Sequence, residues 1–311
     1  MLHAQPRYAT LNGADCLRAD RVQALRARLA ALEPALKRQA VLPFGDARLD
    51  ARLPGRGLPL GCWHEIGGSG VDGQDAAAPA AFAARLAAVL SDRPTGGGRM
   101  GGQVVWVLRR PDLYAPGLMD LGLAPGRLIV VRAPDEAQAL AAVEDAIRTE
   151  GVAAVVAEIE AVDLTAGRRL QLACERAGRP VLVVRRRLFG RTAGSRPPSC
   201  VGRPEPAVAA TRWRIAPEPS DPGPSDSGGV PGLGLGLGPA RLRVELERAR
   251  GGRTGAWVME VPERESWERE NSYGAVPFRV VAELANHTLS AGECRGSERP
   301  GAQPVPLRAA G

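Results

Sequence analysis

A chain of 311 residues, 44% hydrophobic and 24% charged, is long and apolar enough to bury a sizeable core, which excludes a disordered or fibrous chain. The formal charge of +7 and the pI near 9.8 admit a polyanionic partner, but they describe association and not fold. Only 4% of residues are aromatic, so the core must come from Ala, Val and Leu; the basic residues are almost all Arg, with Lys37 the single lysine.

Cys16, Cys62, Cys174, Cys200 and Cys294 are scattered, odd in number and without a C-x-x-C pair, and His3, His64 and His287 are equally dispersed. Metal ligation needs clustered ligands, so no zinc or other metal site is expected. Nothing reads as a signal peptide, and no apolar run approaches the roughly 18 residues of a membrane span. The expectation is a cytoplasmic protein with reduced thiols and no membrane partner.

Residues 1–13 read as loose. A helix is expected over 14–38 with Asp15 as its N-cap, because Val22, Leu25, Leu29, Leu32 and Leu36 recur at spacings of three and four as one apolar stripe. Pro34 kinks or divides it. Such a helix either docks on its own domain or serves as a protein-contact arm. Residues 41–60, rich in Gly and Pro, are expected to be extended and to lead into a first strand.

That strand, 62–66, is followed by a glycine-rich loop, 67–73, and an alanine-rich helix, about 76–90. Strand, glycine loop and helix in this order make a phosphate cradle: backbone N–H groups and the positive end of the helix face the anion. The working pattern continues with Lys and then Ser or Thr. Gly67, Gly68, Gly70 and Gly73 keep the glycines, but Gln74 stands in the lysine position and Asp75 in the hydroxyl position. The lysine neutralises the β and γ phosphates, and Asp75 would add a repelling charge. The loop reads as a degenerate phosphate loop, for which an ordinary turn of an α/β domain is the bland alternative. ATP and Mg²⁺ are doubtful cofactors on this reading, and no catalytic residue is assigned.

Further strands are expected at 103–108, 128–132, 152–159 and 181–185, separated by helices at 135–149 and 165–177, with Gly178 ending the second. The strands lack period-two polarity, as strands covered on both faces do. Alternating strands and helices imply right-handed crossovers and a mostly parallel sheet with helices on both faces. After residue 185 the chain changes character. Residues 211–216 and 242–248 alternate as half-buried antiparallel strands do, Gly251 and Gly252 mark a turn, and 255–261 and 278–284 read as further strands. Residues 217–239, with their GLGLGLG run, are expected to be disordered or a mobile loop, and those from 287 on a loose tail. The domain reading is a helical arm (1–40), a core (41–262) and a partly disordered C-terminal extension (263–311).

The order of elements resembles the RecA-type ATPase core, a P-loop NTPase fold. Within that group the chain is similar to the ImuA family, through the entry LPFGDARLDARLPGRGLPLGCWHEI, the lysine-free glycine loop, the tract DLYAPGLMDLGLAPGRLIVVRAPDEAQALAAVEDAIRTEGVAAVVAE, and the RWRI and LERARGGRTGAW strands. A RecA-type ATPase needs a lysine-bearing loop, an acid for Mg²⁺ at a later strand end, and a glutamate that polarises water. The resemblance places Gln74 and Asp75 at the first, Glu158 at the second and Arg109 and Arg110 at the third, so it implies the fold and argues against the enzyme. The implied role is a non-catalytic adaptor in SOS-induced, error-prone translesion synthesis, a part of DNA repair and mutagenesis. Its implied partners are an ImuB-like Y-family polymerase relative, an error-prone replicative-type DNA polymerase and RecA. Two rivals stay open: a nucleotide-binding ATPase or recombination regulator on single-stranded DNA, and an SOS cell-division inhibitor.

Arg185, Arg186, Arg187, Arg191 and Arg196 follow the last parallel strand, where RecA-type proteins face DNA. They are candidates for DNA phosphate contact, against the bland reading of a solvated basic loop. Glu158, Glu160 and Asp163 cluster at a strand end as candidates for metal or acid–base work, although no nucleophile or histidine joins them. Trp257, Met259 and Val261 alternate on one strand and read as core.

Overall fold

The computed structural model describes residues 40–69, 77–93, 101–186, 209–223, 236–262 and 276–284. The expected N-terminal helix and the tail beyond 287 lie outside them.

The entry segment is more structured than its Gly and Pro content suggests. Strand β1 (Val41–Leu42) leads to a one-turn helix α1 (Ala47–Asp50), a 3-10 turn at Pro54–Arg56, and β2 (Leu58–Pro59), which pairs antiparallel with β1. Asp46 caps α1 by accepting from the N–H groups of Arg48 and Leu49. Asp50 folds back, its carboxylate accepting from Phe44 N at 2.8 Å and Gly45 N at 3.1 Å. These local side-chain acceptors, which spacing does not reveal, replace the expected extended run. Gly45 has φ +83°, and a β-carbon there would lie 2.2 Å from Val276 Cγ1, so both the backbone and the space require glycine.

Strand β3 (Trp63–Gly68) outlasts its expected end, because Gly67 and Gly68 join the sheet instead of opening the loop. It is followed by α2 (Ala77–Asp92), β4 (Gln103–Leu108), the short α3 (Ala115–Asp120), a 3-10 turn at Pro125–Arg127 and β5 (Leu128–Arg132). Then come α4 (Glu136–Arg148), β6 (Val152–Ile159), α5 (Leu164–Ala177) and β7 (Val181–Arg185). Asp135 and Asp163 cap α4 and α5, and Gly178 ends α5 in the left-handed conformation. The remaining strands are β8 (Thr211–Glu218), β9 (Pro222–Gly223), β10 (Gly236–Leu237), β11 (Arg241–Ala249), β12 (Gly255–Glu260) and β13 (Arg279–Leu284).

One nine-stranded sheet runs β13-β12-β11-β8-β3-β7-β6-β4-β5. Pairing is parallel from β8 to β5 and antiparallel from β8 outward through β11, β12 and β13. The expected mostly parallel sheet with an antiparallel extension is what forms. Two expectations need correction. The stretch 217–239 is partly ordered: β8 runs through Glu218, and β9 pairs with β10, leaving only 224–235 outside the described residues. The core also does not stop at 262, because β13 is the outermost strand of the same sheet.

Alternation within each strand feeds two cores. Val104 and Trp106 of β4, with Val156, Leu182 and Val184, meet Phe82, Leu86 and Leu90 of α2 on one face. Val105 and Val107, with Val155, Val181 and Val183, meet Val143 and Ile147 of α4 and Leu170 and Cys174 of α5 on the other. On the α2 side, Trp213 lies 5.6 Å from both Phe44 and Phe82, and Phe82 stacks on Phe278 at 4.8 Å. Trp257 and Met259 are fully buried there, as their alternation indicates. Arg85 of α2 is also buried, and its guanidinium donates to the carbonyls of Pro277, Leu121 and Val276. Burial pushes it down to about 10, with Asp92 opposing the shift, so the group stays charged at neutral pH.

His64 is a core histidine. Its Nε2–H donates to the Pro59 carbonyl at 2.9 Å, so Nδ1 accepts from Thr211 Oγ1 at 2.8 Å, and Trp213 Nε1 donates to that same hydroxyl at 2.7 Å. Burial lowers its pKa to about 4 from 6.5, the Pro59 bond opposing the shift. With the folded pKa below the unfolded one, the unfolded chain takes up the proton first as pH falls. The stabilisation is complete above pH 6.5 and is lost as pH falls toward 4, by about 3 kcal/mol for this group. Comparing pH-dependent urea unfolding of wild type with His64→Gln isolates it; parallel curves between pH 7 and 4 refute it.

Candidate functional site at the carboxyl ends of the central strands

The chain leaves β3 for α2 on one face of the sheet and leaves β6 for α5 on the other. Such a switch puts a crevice at the carboxyl ends of the parallel strands, where open α/β sheets bind ligands. The sequence places the glycine loop there, between β3 and α2. Gly67 and Gly68 are strand residues: Gly67 is in register with Arg185 of β7 and Arg214 of β8, and Gly68 with Ile215. Gly70, Gly73, Gln74 and Asp75 lie outside the described residues.

Glu158 comes to the α2 face at the end of β6 and is 4% exposed. Its Oε1 accepts from Trp106 Nε1 of β4 at 2.8 Å, and its Oε2 faces Arg186 Nη1 at 3.4 Å. The same guanidinium also pairs with Asp112. A magnesium-binding carboxylate must present a lone pair at about 2.1 Å to a hydrated ion. Here an indole and a guanidinium hold both oxygens, and the cation beside the acid is Arg186. This donor set does not fit the metal–nucleotide site of a RecA-type ATPase.

The expected acidic cluster does not assemble either. Asp163 turns away to cap α5, accepting from Ala166 N at 2.8 Å, while Glu160 lies 4.0 Å from Arg109 Nη1. Among the described residues no three His, Cys, Asp or Glu side chains converge as a metal group. Arg185 reaches Glu65 Oε1 at 3.2 Å, and Arg212 reaches Glu65 Oε2 at 2.9 Å. The DNA-contact candidates Arg185 and Arg186 are therefore engaged with carboxylates of the fold; Arg187, Arg191 and Arg196 lie outside the described residues. Trp106, Asp112, Glu65 and Arg212 are the members of this site that sequence reasoning missed. A charged Glu65 inside an apolar strand was the one available signal, since a buried carboxylate needs a cation.

Beside Glu158 and Arg186 lies a cavity of about 150 Å³, lined also by Arg109, Arg110, Pro134 and Glu160. It sits where β4, β6 and β7 end. No helix among the described residues is long and apolar enough to cross a membrane.

A mostly parallel sheet with helices on both faces, extended by antiparallel strands at one edge, defines an α/β protein. Protein ImuA from two strains of Caulobacter vibrioides is 50% identical to this chain over 253 residues, covering 81% of the chain and 93% of each relative. The chain belongs to the ImuA family. No protein-family model matches it. Among solved structures, the RadB recombinase matches over 72% of this chain and 97% of its own, at 17% identity and a TM-score of 0.46. SulA from Pseudomonas aeruginosa matches over 40% of this chain and 96% of its own, at 23% identity and a TM-score of 0.33.

Proposed function

We propose that this ImuA-family chain is a non-catalytic RecA-like adaptor in SOS-induced, error-prone translesion synthesis. It acts in the cytoplasm with an ImuB-like Y-family polymerase relative, an error-prone replicative-type polymerase and RecA. The observation that carries the non-catalytic part is the state of Glu158, whose two oxygens are taken by Trp106 and Arg186 where an ATPase would present a metal ligand. Gln74 and Asp75 in the loop and Arg109 and Arg110 after β4 support it from the sequence. An adaptor needs a rigid folded surface and no turnover, and the two-sided core supplies that rigidity. In this reading DNA phosphates meet Arg187, Arg191 and Arg196, since Arg185 and Arg186 already hold carboxylates.

The test is a titration of the purified chain with labelled ATP and Mg²⁺, with and without single-stranded DNA, alongside phosphate release. No saturable binding up to millimolar ATP, and co-purification with the polymerase partners, are expected. Saturable micromolar binding with DNA-stimulated phosphate release overturns the non-catalytic reading and gives the lead to a nucleotide-driven regulator.

A further inference from the structure

We propose that the arginine-ringed cavity at the ends of β4, β6 and β7 is a metal-free binding site for a phosphate monoester group. Its wall carries three guanidiniums, from Arg109, Arg110 and Arg186, against the two carboxylates of Glu158 and Glu160. The balance is positive, and Glu158 is already held by Trp106 and Arg186. In that wall the donor Arg109 Nε and the acceptor Glu160 Oε1 are buried and make no hydrogen bond. Arg109 and Glu160 stand 4.0 Å apart, an ion-pair distance too long for a hydrogen bond. Buried polar groups left this way call for a partner that both accepts and donates.

A phosphate monoester carrying one proton is such a partner. Its anionic oxygens accept from the guanidinium forks, for which arginine is the best-suited side chain, and its P–OH donates to Glu160. Neutralisation by arginines removes the need for Mg²⁺. The volume of about 150 Å³ also selects for size. Sites for drug-sized ligands begin near roughly 300 Å³, so the cavity takes a phosphoryl group and leaves the rest of its molecule outside. The site is framed by the ends of β4, β6 and β7 and stands independently of the adaptor role; the ATP titration above is run with Mg²⁺ and reads a metal–nucleotide site, whereas this cavity is probed in EDTA.

The probe is the full chain in EDTA with two labelled oligonucleotides, identical except for a 5′-phosphate or a 5′-hydroxyl, followed by anisotropy. Thermal unfolding is recorded in parallel with inorganic phosphate and with chloride at equal ionic strength. The phosphorylated strand is expected to bind at least tenfold more tightly, and that preference is expected to vanish in the double variant Arg109→Ala, Arg110→Ala. Both side chains reach solvent, so unfolding of the unliganded variant should stay near wild type and report its integrity. A phosphate-dependent thermal shift that the variant loses, without an oligonucleotide preference, keeps the site and assigns it to free phosphate. The proposal is overturned if neither probe discriminates, if the preference survives in the double variant, or if it appears only with Mg²⁺.

Discussion

Replacing Arg85 with Leu should destabilise the protein by about 3 kcal/mol and selectively release the segment at 276–284. The leucine fits the apolar surroundings of α2, so the loss does not come from volume. It comes from three carbonyls, Pro277, Leu121 and Val276, which now accept from one guanidinium at 2.8, 3.4 and 3.2 Å. Their donor would be gone and water is largely excluded, so each buried acceptor carries its desolvation penalty. Two of the three belong to the chain entering β13, which is why the outermost strand should loosen before the rest. Arg85→Lys, with one ammonium in place of a fork, should fall between Leu and wild type. Urea unfolding gives the stability change, and native-state hydrogen exchange localises it. A loss under 1 kcal/mol with unchanged exchange at 279–284 would refute this account.

Trp213→Ala should be the most damaging truncation in the core, by about 4 kcal/mol. The indole is 1% exposed and sits between Phe44 and Phe82, whose ring centres lie 5.6 Å away on either contact. Phe44 comes from the entry segment, Phe82 from α2 and Trp213 from β8, so one ring joins three parts distant in the chain. Truncation leaves a cavity that β8, fixed on both sides by β3 and β11, cannot collapse to fill. Trp213→Phe keeps most of the volume but removes the donor to Thr211 Oγ1, and should lose about 1 kcal/mol. The same hydroxyl bonds His64, so the Phe variant should couple to His64→Gln in a double-mutant cycle, whereas Trp257→Phe should add independently. Additivity at Trp213 and His64 would show the chain of hydrogen bonds to be energetically idle.

Much of the sheet was legible because parallel strands buried on both faces write themselves as unbroken apolar runs. QVVWVL, VAAVVAEI and VLVVR begin and end where their hydrophobicity does. Asp135 and Gly178 are local signals of helix ends, satisfied by backbone atoms a few residues away, whereas Asp163 read as part of an acidic cluster and proved to be a cap. The candidate site was much less legible. Glu158 was visible as an acid at a strand end, but its partner Trp106 is 52 residues earlier in the chain. Arg185 and Arg186 looked like a solvent-facing basic run, yet they turn onto Glu65, Glu158 and Asp112. Pairing of that kind depends on which strands lie side by side, and β6 lies between β4 and β7 only through the order of the crossovers.

The sequence by itself determined the class of fold, most element boundaries, the lysine-free loop with Gln74 and Asp75, and the resemblance through which the family was recognised. Those features are set by period, by composition and by residues close in the chain. Tertiary structure alone decided that Gly67 and Gly68 belong to a strand, that β13 completes the core sheet, that Arg85 fastens it, and that a guanidinium and an indole occupy the carboxylate of Glu158. Each of these joins residues distant in sequence, and a buried charge or a ladder edge finds its partner only after the strands have been placed.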